Sequence, residues 1–303
     1  MKPDLPVWRS LMYVPVNVDK YVDKAHTRGA DCVQLDLEDS VPAHEKDHAR
    51  TLVQKAAEKV RRGGADVVVR INRPIEMTVR DIEHCVSPLV NGLAITKCDS
   101  ASHLRILDDL VTRLEEKQGM TPGSTRFVAM VETADAFFRI HEIAHAVGRT
   151  AAMNIGGEDF ALEINMQPTG EGLFYPKQHM IIAAASAGVM PLGFIDSVAG
   201  FGDWERFRTM VRRSRDFGFM GAGCIHPGQV AIVNEEYKPT GDEVAYARKV
   251  VQLDQDAAAS GRGSFAIDGK MIDVPVVVRA QRLIARYERI VEREKRTLAA
   301  ATA

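Results

Sequence analysis

The sequence predicts an α/β protein, a (β/α)8 TIM barrel with a C-terminal helical and hairpin extension, and three observations carry this. Short β-rich apolar runs alternate with longer amphipathic stretches, and there are eight such runs. The turn after the first run, Pro15-Val16-Asn17, lacks glycine, whereas an open doubly wound sheet usually carries a Gly-rich turn there. The pattern changes after the eighth run, so the remaining C-terminal residues lie outside the barrel wall. A chain of 303 residues that is 46 % apolar is large enough for such a barrel and its core.

The eight runs are residues 11–14, 32–37, 67–71, 93–95, 127–131, 151–155, 192–195 and 223–225. Helix-like segments separate them, among them 19–28, 45–61, 101–117, 134–147 and 203–217. In 134–147 the apolar set Phe137, Ile140, Ala144 and Val147 follows helical spacing. Strand–helix alternation implies a parallel sheet, and eight units imply closure. We therefore read residues 1–238 as the catalytic barrel and residues 239–303 as an extension. The extension reads as a helix over 241–259, a breaker at 261–263, a hairpin over 264–272 turning at Asp268-Gly269, and a long helix over 275–300. It is expected to pack on a neighbouring subunit or to act as a lid.

Composition excludes several function classes. Acidic and basic residues number 41 and 39, so no strong field favours nucleic acid or an acidic membrane surface. The longest uncharged run, 180–195, is too short for an ordinary membrane span and contains Gly188 and Pro191. It reads as a helix end, a turn and a buried strand. Residues 1–9 carry charges and two prolines without an apolar run, unlike a signal peptide. Cys32, Cys85, Cys98 and Cys224 form no C-x-x-C pair and read as reduced thiols of a cytoplasmic protein.

Barrel enzymes place their chemistry at the C-terminal ends of strands. Here the second run leads into Asp36-Leu37-Glu38-Asp39, and the third closes on Arg70, Asn72 and Arg73. The fourth gives Lys97, the fifth Glu132, and the sixth Gly156-Gly157-Glu158-Asp159. Asp196 follows the seventh and His226 the eighth. One polar loop residue says little, but a ring of them converging on one mouth says more. Glu132 and Asp159 follow adjacent strands, roughly 5 Å apart in a sheet. Two carboxylates so close repel unless a cation or proton lies between them. Two carboxylates completed by water and substrate oxygens is the usual Mg²⁺ arrangement. Gly156 and Gly157 let backbone N–H groups approach a bound anion. Arg70 can pair bidentately with a substrate carboxylate or steady an enolate oxygen. Its structural alternative is a salt bridge to Glu38 or Asp39, and the two are compatible.

A zinc-protease pattern, His141-Glu142-Ile143-Ala144-His145, must be weighed against this. The extended form needs a third histidine where the chain has Ala151. A second literal match, His44-Glu45-Lys46-Asp47-His48, is charged throughout. Two matches in one chain point to chance on helix faces.

Together the ordered motifs resemble the HpcH/HpaI aldolase/citrate lyase family, in its citrate lyase β-subunit-like (CitE-like) branch. They are Arg9-Ser10-Leu11-Met12-Tyr13-Val14-Pro15, then Leu35-Asp36-Leu37-Glu38-Asp39-Ser40-Val41 with Lys46 and Arg50, and Val69-Arg70-Ile71-Asn72. Val131-Glu132-Thr133, Gly156-Gly157-Glu158-Asp159-Phe160, Ile225-His226-Pro227-Gly228-Gln229 and Asp268-Gly269-Lys270-Met271-Ile272-Asp273 complete the set. The resemblance implies a Mg²⁺-dependent carbon–carbon lyase with the metal on Glu132 and Asp159. It places a substrate carboxylate near Arg70, Gly156, Gly157 and Glu158, and makes Asp273 the acid/base, often serving a neighbour's site. Glu38 and Asp39 are expected to order water and Arg70. The implied reaction cleaves or condenses a 3-hydroxy-carboxyacyl-CoA, such as citryl-, malyl- or citramalyl-CoA, into a keto acid and an acyl-CoA. The alternatives are a malyl- or citramalyl-CoA thioesterase and a carrier-protein-dependent citrate lyase subunit. The implied partners are a CoA thioester and a small keto acid, with no nucleic acid and no membrane, in a homotrimer or hexamer. On its own residues Asp273 also reads as a helix N-cap before Pro275. The resemblance departs at one place: the family's Pro-Gly is Pro15-Val16 here, in the loop near which CoA approaches.

Overall fold

In a computed structural model, which describes residues 5–196, 202–259, 265–267 and 270–302, the apolar runs become eight parallel strands. These are β1 (Ser10–Pro15), β2 (Cys32–Asp36), β3 (Asp66–Ile71), β4 (Gly92–Ile95), β5 (Arg126–Val131), β6 (Thr150–Ile155), β7 (Met190–Pro191) and β8 (Ala222–Cys224). Their order is β7-β6-β5-β4-β3-β2-β1-β8, with helices between successive strands. A parallel bridge from Leu192 to Gly221 joins the two ends of that order. Met220 N–H donates to Pro191 O at 2.9 Å, and Gly193 N–H donates to Gly221 O at 2.8 Å. The architecture is TIM-barrel-like.

Side chains alternate across each strand, and the two faces bury different sets. Outward residues such as Val33, Leu35, Val67, Val69, Leu93 and Phe127 join the large core under the helices. Inward residues near the strand starts, Leu11, Cys32, Val68, Ala94, Val128 and Ala152, form a second apolar cluster inside the sheet. Val16 is buried in the outer core. Its methyl groups fill space between sheet and helices.

Three expectations are corrected in detail. The seventh strand is shorter and earlier than residues 192–195, because Gly193, at φ 144°, turns the chain out of the strand. The helix expected over 45–61 is a 3-10 turn, Ala43–Glu45, and two helices, Lys46–Thr51 and Val53–Val60. That expected over 134–147 is split into Ala134–Phe138 and Ile140–Ala144. In both places the ladder tightens to an i→i−3 bond, Leu52 N–H to Ala49 O and Arg139 N–H to Ala136 O.

A buried ion pair ties the start of strand β6 to the helix Ala101–Lys117. Arg149 Nη1 donates to both Glu115 carboxylate oxygens at 3.1 Å and to Thr125 O at 2.9 Å, and Nε also pairs with Asp108. Glu115 is fully buried and accepts the N–H groups of Gly123 and Thr125. Removing one partner strands the other charge in the core. Arg149→Ala is expected to destabilise the fold by about 3–5 kcal/mol, read as a lower urea midpoint at constant slope.

The chain divides into two compact units, one of Met1–Tyr237 with Ala300–Ala303 and one of Lys238–Ala299. The second contains a helix, Gly241–Ala259, an antiparallel pair, β9 (Phe265–Ile267) and β10 (Lys270–Ile272), and most of a long helix, Val274–Thr302. Ala247, Val250, Ile267, Ile272, Val277 and Ala280 form its own core. The expected turn at Asp268-Gly269 lies outside the described residues. No described helix is long and apolar enough to cross a membrane.

Candidate active site

The strand alternation that keeps Cys32 and Val68 inside the sheet also turns Asp36, Arg70 and Glu132 inward, two or four residues further on. The inner face is thus apolar near the strand starts and charged at their C-terminal ends. There a cavity of about 1040 Å³ opens, lined by Tyr13, Asp36, Arg70, Glu132, Asp159 and Lys177 among others.

Arg70 is the cation of one side. In the β2–β3 register Asp36 lies opposite Arg70, so a bidentate pair forms directly across the strands. Arg70 Nε and Nη2 donate to Asp36 at 2.7 and 2.6 Å, and Nη1 lies 3.0 Å from Glu38 and 3.1 Å from Asp39. Burial alone would weaken the guanidinium's charge, but the Asp36 bonds outweigh it and raise its pKa. Burial likewise pushes Asp36 up, yet Arg70 holds it below the usual carboxylate range. The Tyr13 ring sits under the guanidinium, 5.2 Å to its centre, and burial lifts its hydroxyl to about 12. The salt bridge foreseen for Arg70 is present, and Asp36 is its principal anchor.

The acidic loop is fixed from beneath. Asp36 accepts the N–H groups of Glu38 and Ser40. Lys46 Nζ donates to Leu37 O, Glu38 O and the Asn72 side chain. Asn72 is held by the fully buried Asp81, which also takes Arg50 Nε at 2.9 Å.

The second half of the site is a cluster of carboxylates. Glu132 is 3 % exposed and accepts the Lys97 backbone N–H at 2.6 Å. The Lys97 ammonium lies 3.3 Å from Glu38 and 3.5 Å from Asp159, tying the three acids together. Lys97 has φ 44°, a left-handed conformation unusual for a side-chain-bearing residue. That geometry aims its N–H at Glu132. Burial raises Glu132 to about 7; the Lys97 N–H opposes this, and the charges of Asp159 and Glu38 add to it. Burial also raises Glu38, with Arg70 opposing and Asp39 reinforcing.

Gly156 serves this cluster through what it lacks. A Cβ there would sit 2.5 Å from both Cγ and Oε1 of Glu132. Its own N–H is spent on Val131 O at 2.9 Å, so it does not face an anion as the sequence suggested. Gly157 begins the helix Gly157–Glu163, whose first-turn N–H groups, with those of Glu158 and Asp159, lack helical partners.

Among the described residues no three His, Cys, Asp or Glu side chains form a ready metal cluster. The chemistry of the donors nevertheless suits a hard divalent cation. Glu132 and Asp159 offer oxygen ligands, and a bound cation would offset both the burial and the neighbouring negative charge that push Glu132 toward neutrality. His141 and His145 are elsewhere, with His145 Nδ1 2.9 Å from the His141 carbonyl oxygen.

The structure therefore gathers Arg70, Glu38, Asp39, Glu132, Gly156, Gly157, Glu158 and Asp159 at one mouth. Asp196 and His226 line the same cavity, with His226 as N-cap of the helix Pro227–Glu236. Asp273 belongs to the second unit, exposed between β10 and the long helix, where its carbonyl accepts the N–H groups of Val276 and Val277. Sequence reasoning left Asp36, Lys97 and Lys177 without roles. Parity along β2 and β3 would have found Asp36, but nothing in the sequence marks the left-handed backbone at Lys97.

A TIM-barrel-like sheet with a carboxylate cluster and a guanidinium at its C-terminal mouth has the arrangement of a barrel enzyme's active site. The HpcH/HpaI aldolase/citrate lyase family profile matches residues 9–227. The chain is 33 % identical to the citrate lyase subunit beta of Leuconostoc mesenteroides subsp. cremoris, over 91 % of this chain and 92 % of that protein. It is 30 % identical to an L-malyl-CoA/beta-methylmalyl-CoA lyase of Cereibacter sphaeroides, over 93 % of this chain and 95 % of that protein. It is also similar to the solved structure of CitE from Mycobacterium tuberculosis in complex with magnesium, acetoacetate and coenzyme A. That match has a TM-score of 0.70 and 25 % identity, covering 94 % of this chain and 99 % of that one. The chain belongs to the HpcH/HpaI aldolase/citrate lyase family and is a carbon–carbon lyase.

Proposed function

We propose that this enzyme is a Mg²⁺-dependent lyase that splits, or in reverse builds, a 3-hydroxy-carboxyacyl-CoA of the citryl, malyl or citramalyl type. The products of cleavage are a keto acid and an acyl-CoA. The observation that carries the proposal is the buried Glu132, crowded by Asp159 and Glu38 in the cavity that Arg70 also lines. When bound, Mg²⁺ supplies Lewis acidity to the substrate's hydroxyl and carboxylate oxygens and lowers the hydroxyl pKa.

Glu132 and Asp159 would hold the metal. Arg70, locked by Asp36, Glu38 and Asp39, presents fixed positive charge to the developing oxyanion. The Gly157, Glu158 and Asp159 N–H groups receive the carboxylate on the hydroxyl-bearing carbon. The hydroxyl gives its proton to solvent, and cleavage of the carbon–carbon bond forms the keto group and leaves the electron pair on the thioester fragment as an enolate. Asp273 delivers the proton to its carbon, and takes that proton back in condensation. Lys20, Lys24 and Arg28 line the cavity at four-residue intervals, a spacing suited to the phosphates of free CoA. That favours a CoA thioester over a carrier-protein thioester.

The test is a panel of keto acids with acetyl- and propionyl-CoA, with and without Mg²⁺, with products identified. Release of CoA thiol without a keto acid would instead establish a thioesterase. The role of Gly156 gives a further expected result. In Gly156→Ala the new methyl group displaces the Glu132 carboxylate, while φ −74° suits alanine. Mg²⁺ affinity should fall by about 10- to 100-fold with little change in metal-free melting, measured by calorimetric titration.

A further inference from the structure

Lys177 is a buried cation in the cavity wall that the lyase mechanism leaves without a role. It stands mid-way along the helix Gly170–Ala187 and is 6 % exposed. Leu173, one turn earlier on the same face, packs on Gly157, where a Cβ would lie 3.0 Å from Leu173 Cδ1. Lys177 is thereby anchored beside the loop that presents Glu158 and Asp159.

Its donors are not filled by the fold. An ammonium has three N–H groups. Lys177 makes one hydrogen bond, 3.3 Å to the Asp196 carbonyl oxygen, and among the described residues no carboxylate oxygen lies within 4.0 Å of it. The Asp196 carboxylate lies by the helix's first turn, which favours negative charge: a Cβ on Gly170 would be 3.2 Å from its Cγ. Glu158 is exposed. Burial pushes Lys177 down to about 8 while Asp196 and Glu158 oppose it, so the group is largely charged at neutral pH. A buried charge with open donors is costly unless a ligand completes it.

Strand order indicates which ligand group that is. Arg70 stands on β3 and Lys177 on the helix before β7, with Glu132 after β5 and Asp159 after β6 between them. The two cations therefore flank the carboxylate pair. We propose that Lys177 is a specificity-determining residue that takes a second, distal carboxylate, making dicarboxylic keto acids the substrate class of this site. The inference rests on the keto-acid lyase reading and narrows it.

The test is calorimetric titration of the full-length protein with Mg²⁺ and either oxaloacetate or pyruvate, for wild type, Lys177→Met and Lys177→Arg. Chelation in free solution is the same for each protein and cancels. Lys177→Met should lose about tenfold or more in oxaloacetate affinity with pyruvate affinity changed less than about twofold, and Lys177→Arg should recover part of the loss. Equal losses for both acids would overturn the proposal, because the ammonium would then meet the carboxylate they share. So would no loss, which would leave Lys177 as a tie to the Asp196 carbonyl. Should Lys177→Met fail to fold, Lys177→Gln carries the same comparison. Turnover with acyl-CoA is scored separately: a wild type that binds keto acids but makes and breaks no carbon–carbon bond removes the lyase reading and leaves the binding result standing.

Discussion

Asp273→Asn is expected to lower turnover by about 10³-fold while Mg²⁺ and keto-acid binding persist. Asparagine keeps the shape and polarity of the side chain but cannot carry a proton between solvent and an enolate carbon. The long helix beyond it should survive, because the Asp273 backbone carbonyl accepts the N–H groups of Val276 and Val277. Circular dichroism and titration with Mg²⁺ and keto acid check that survival, and the turnover number checks the role. Ordinary turnover in the variant would remove Asp273 from the mechanism.

The same variant tests where Asp273 works. It lies in the Lys238–Ala299 unit, whereas the described residues lining the cavity lie in the other. If Asp273 serves a neighbour's cavity, subunits lacking Asp273 and subunits lacking Arg70 complement each other. A mixture of Asp273→Asn and Arg70→Ala, unfolded and refolded together, then recovers activity that neither has alone. Recovery requires an oligomer in which one chain's extension reaches another's barrel. No recovery, with both variants folded and inactive, would confine Asp273 to its own chain.

Much of the barrel was legible because period-two alternation and strand–helix spacing are local signals. Runs such as 127–131 and 151–155 come within one residue of β5 and β6. The helix Ala101–Lys117 matches its expected bounds, with Ser100 capping the His103 N–H. Less legible elements fail for local reasons. Pro176, Gly170 and Gly172 obscure the start of the helix Gly170–Ala187, so only its end was read. The tight turns at Leu52 and Arg139 arise from tertiary fit and leave no composition signal.

The site was legible to the extent that it follows strand ends. Glu132, Asp159 and Arg70 could be named because each stands at the end of an inward-facing strand or just beyond it. What the sequence withheld was the partner of each. Asp36 falls inside a strand and so read as part of a polar loop rather than as Arg70's anchor. Gly156 read as an anion-binding amide, whereas its missing side chain is what admits Glu132. Lys177 sits in a helix interior, where a lysine ordinarily reads as solvent-exposed.

Glu132→Gln is expected both to disable the enzyme and to stabilise its metal-free form at alkaline pH. Glu132 titrates near 4.5 when unfolded and near 7 when folded. A raised carboxyl contributes stability that is complete below pH 4.5 and lost as pH rises through about 7. The metal-free wild type should therefore weaken between pH 5 and pH 8, by up to about 3 kcal/mol from this group. Glutamine fills the same space, still accepts the Lys97 N–H and has no charge to bury, so that slope should vanish. At pH 8 in EDTA the variant should melt above the wild type. Mg²⁺ reverses the order, because a ligand at a hundred times its dissociation constant adds about 2.7 kcal/mol to the protein that binds it. The variant's affinity should be lower by more than about 100-fold, leaving it with neither that gain nor turnover. Melting curves from pH 5 to pH 8, with and without Mg²⁺, read both halves of the prediction. A metal-free wild type whose stability is flat across that range would mean that burial and the acidic neighbours do not raise Glu132. Equal Mg²⁺ affinity in the two proteins would mean that the cation is held elsewhere.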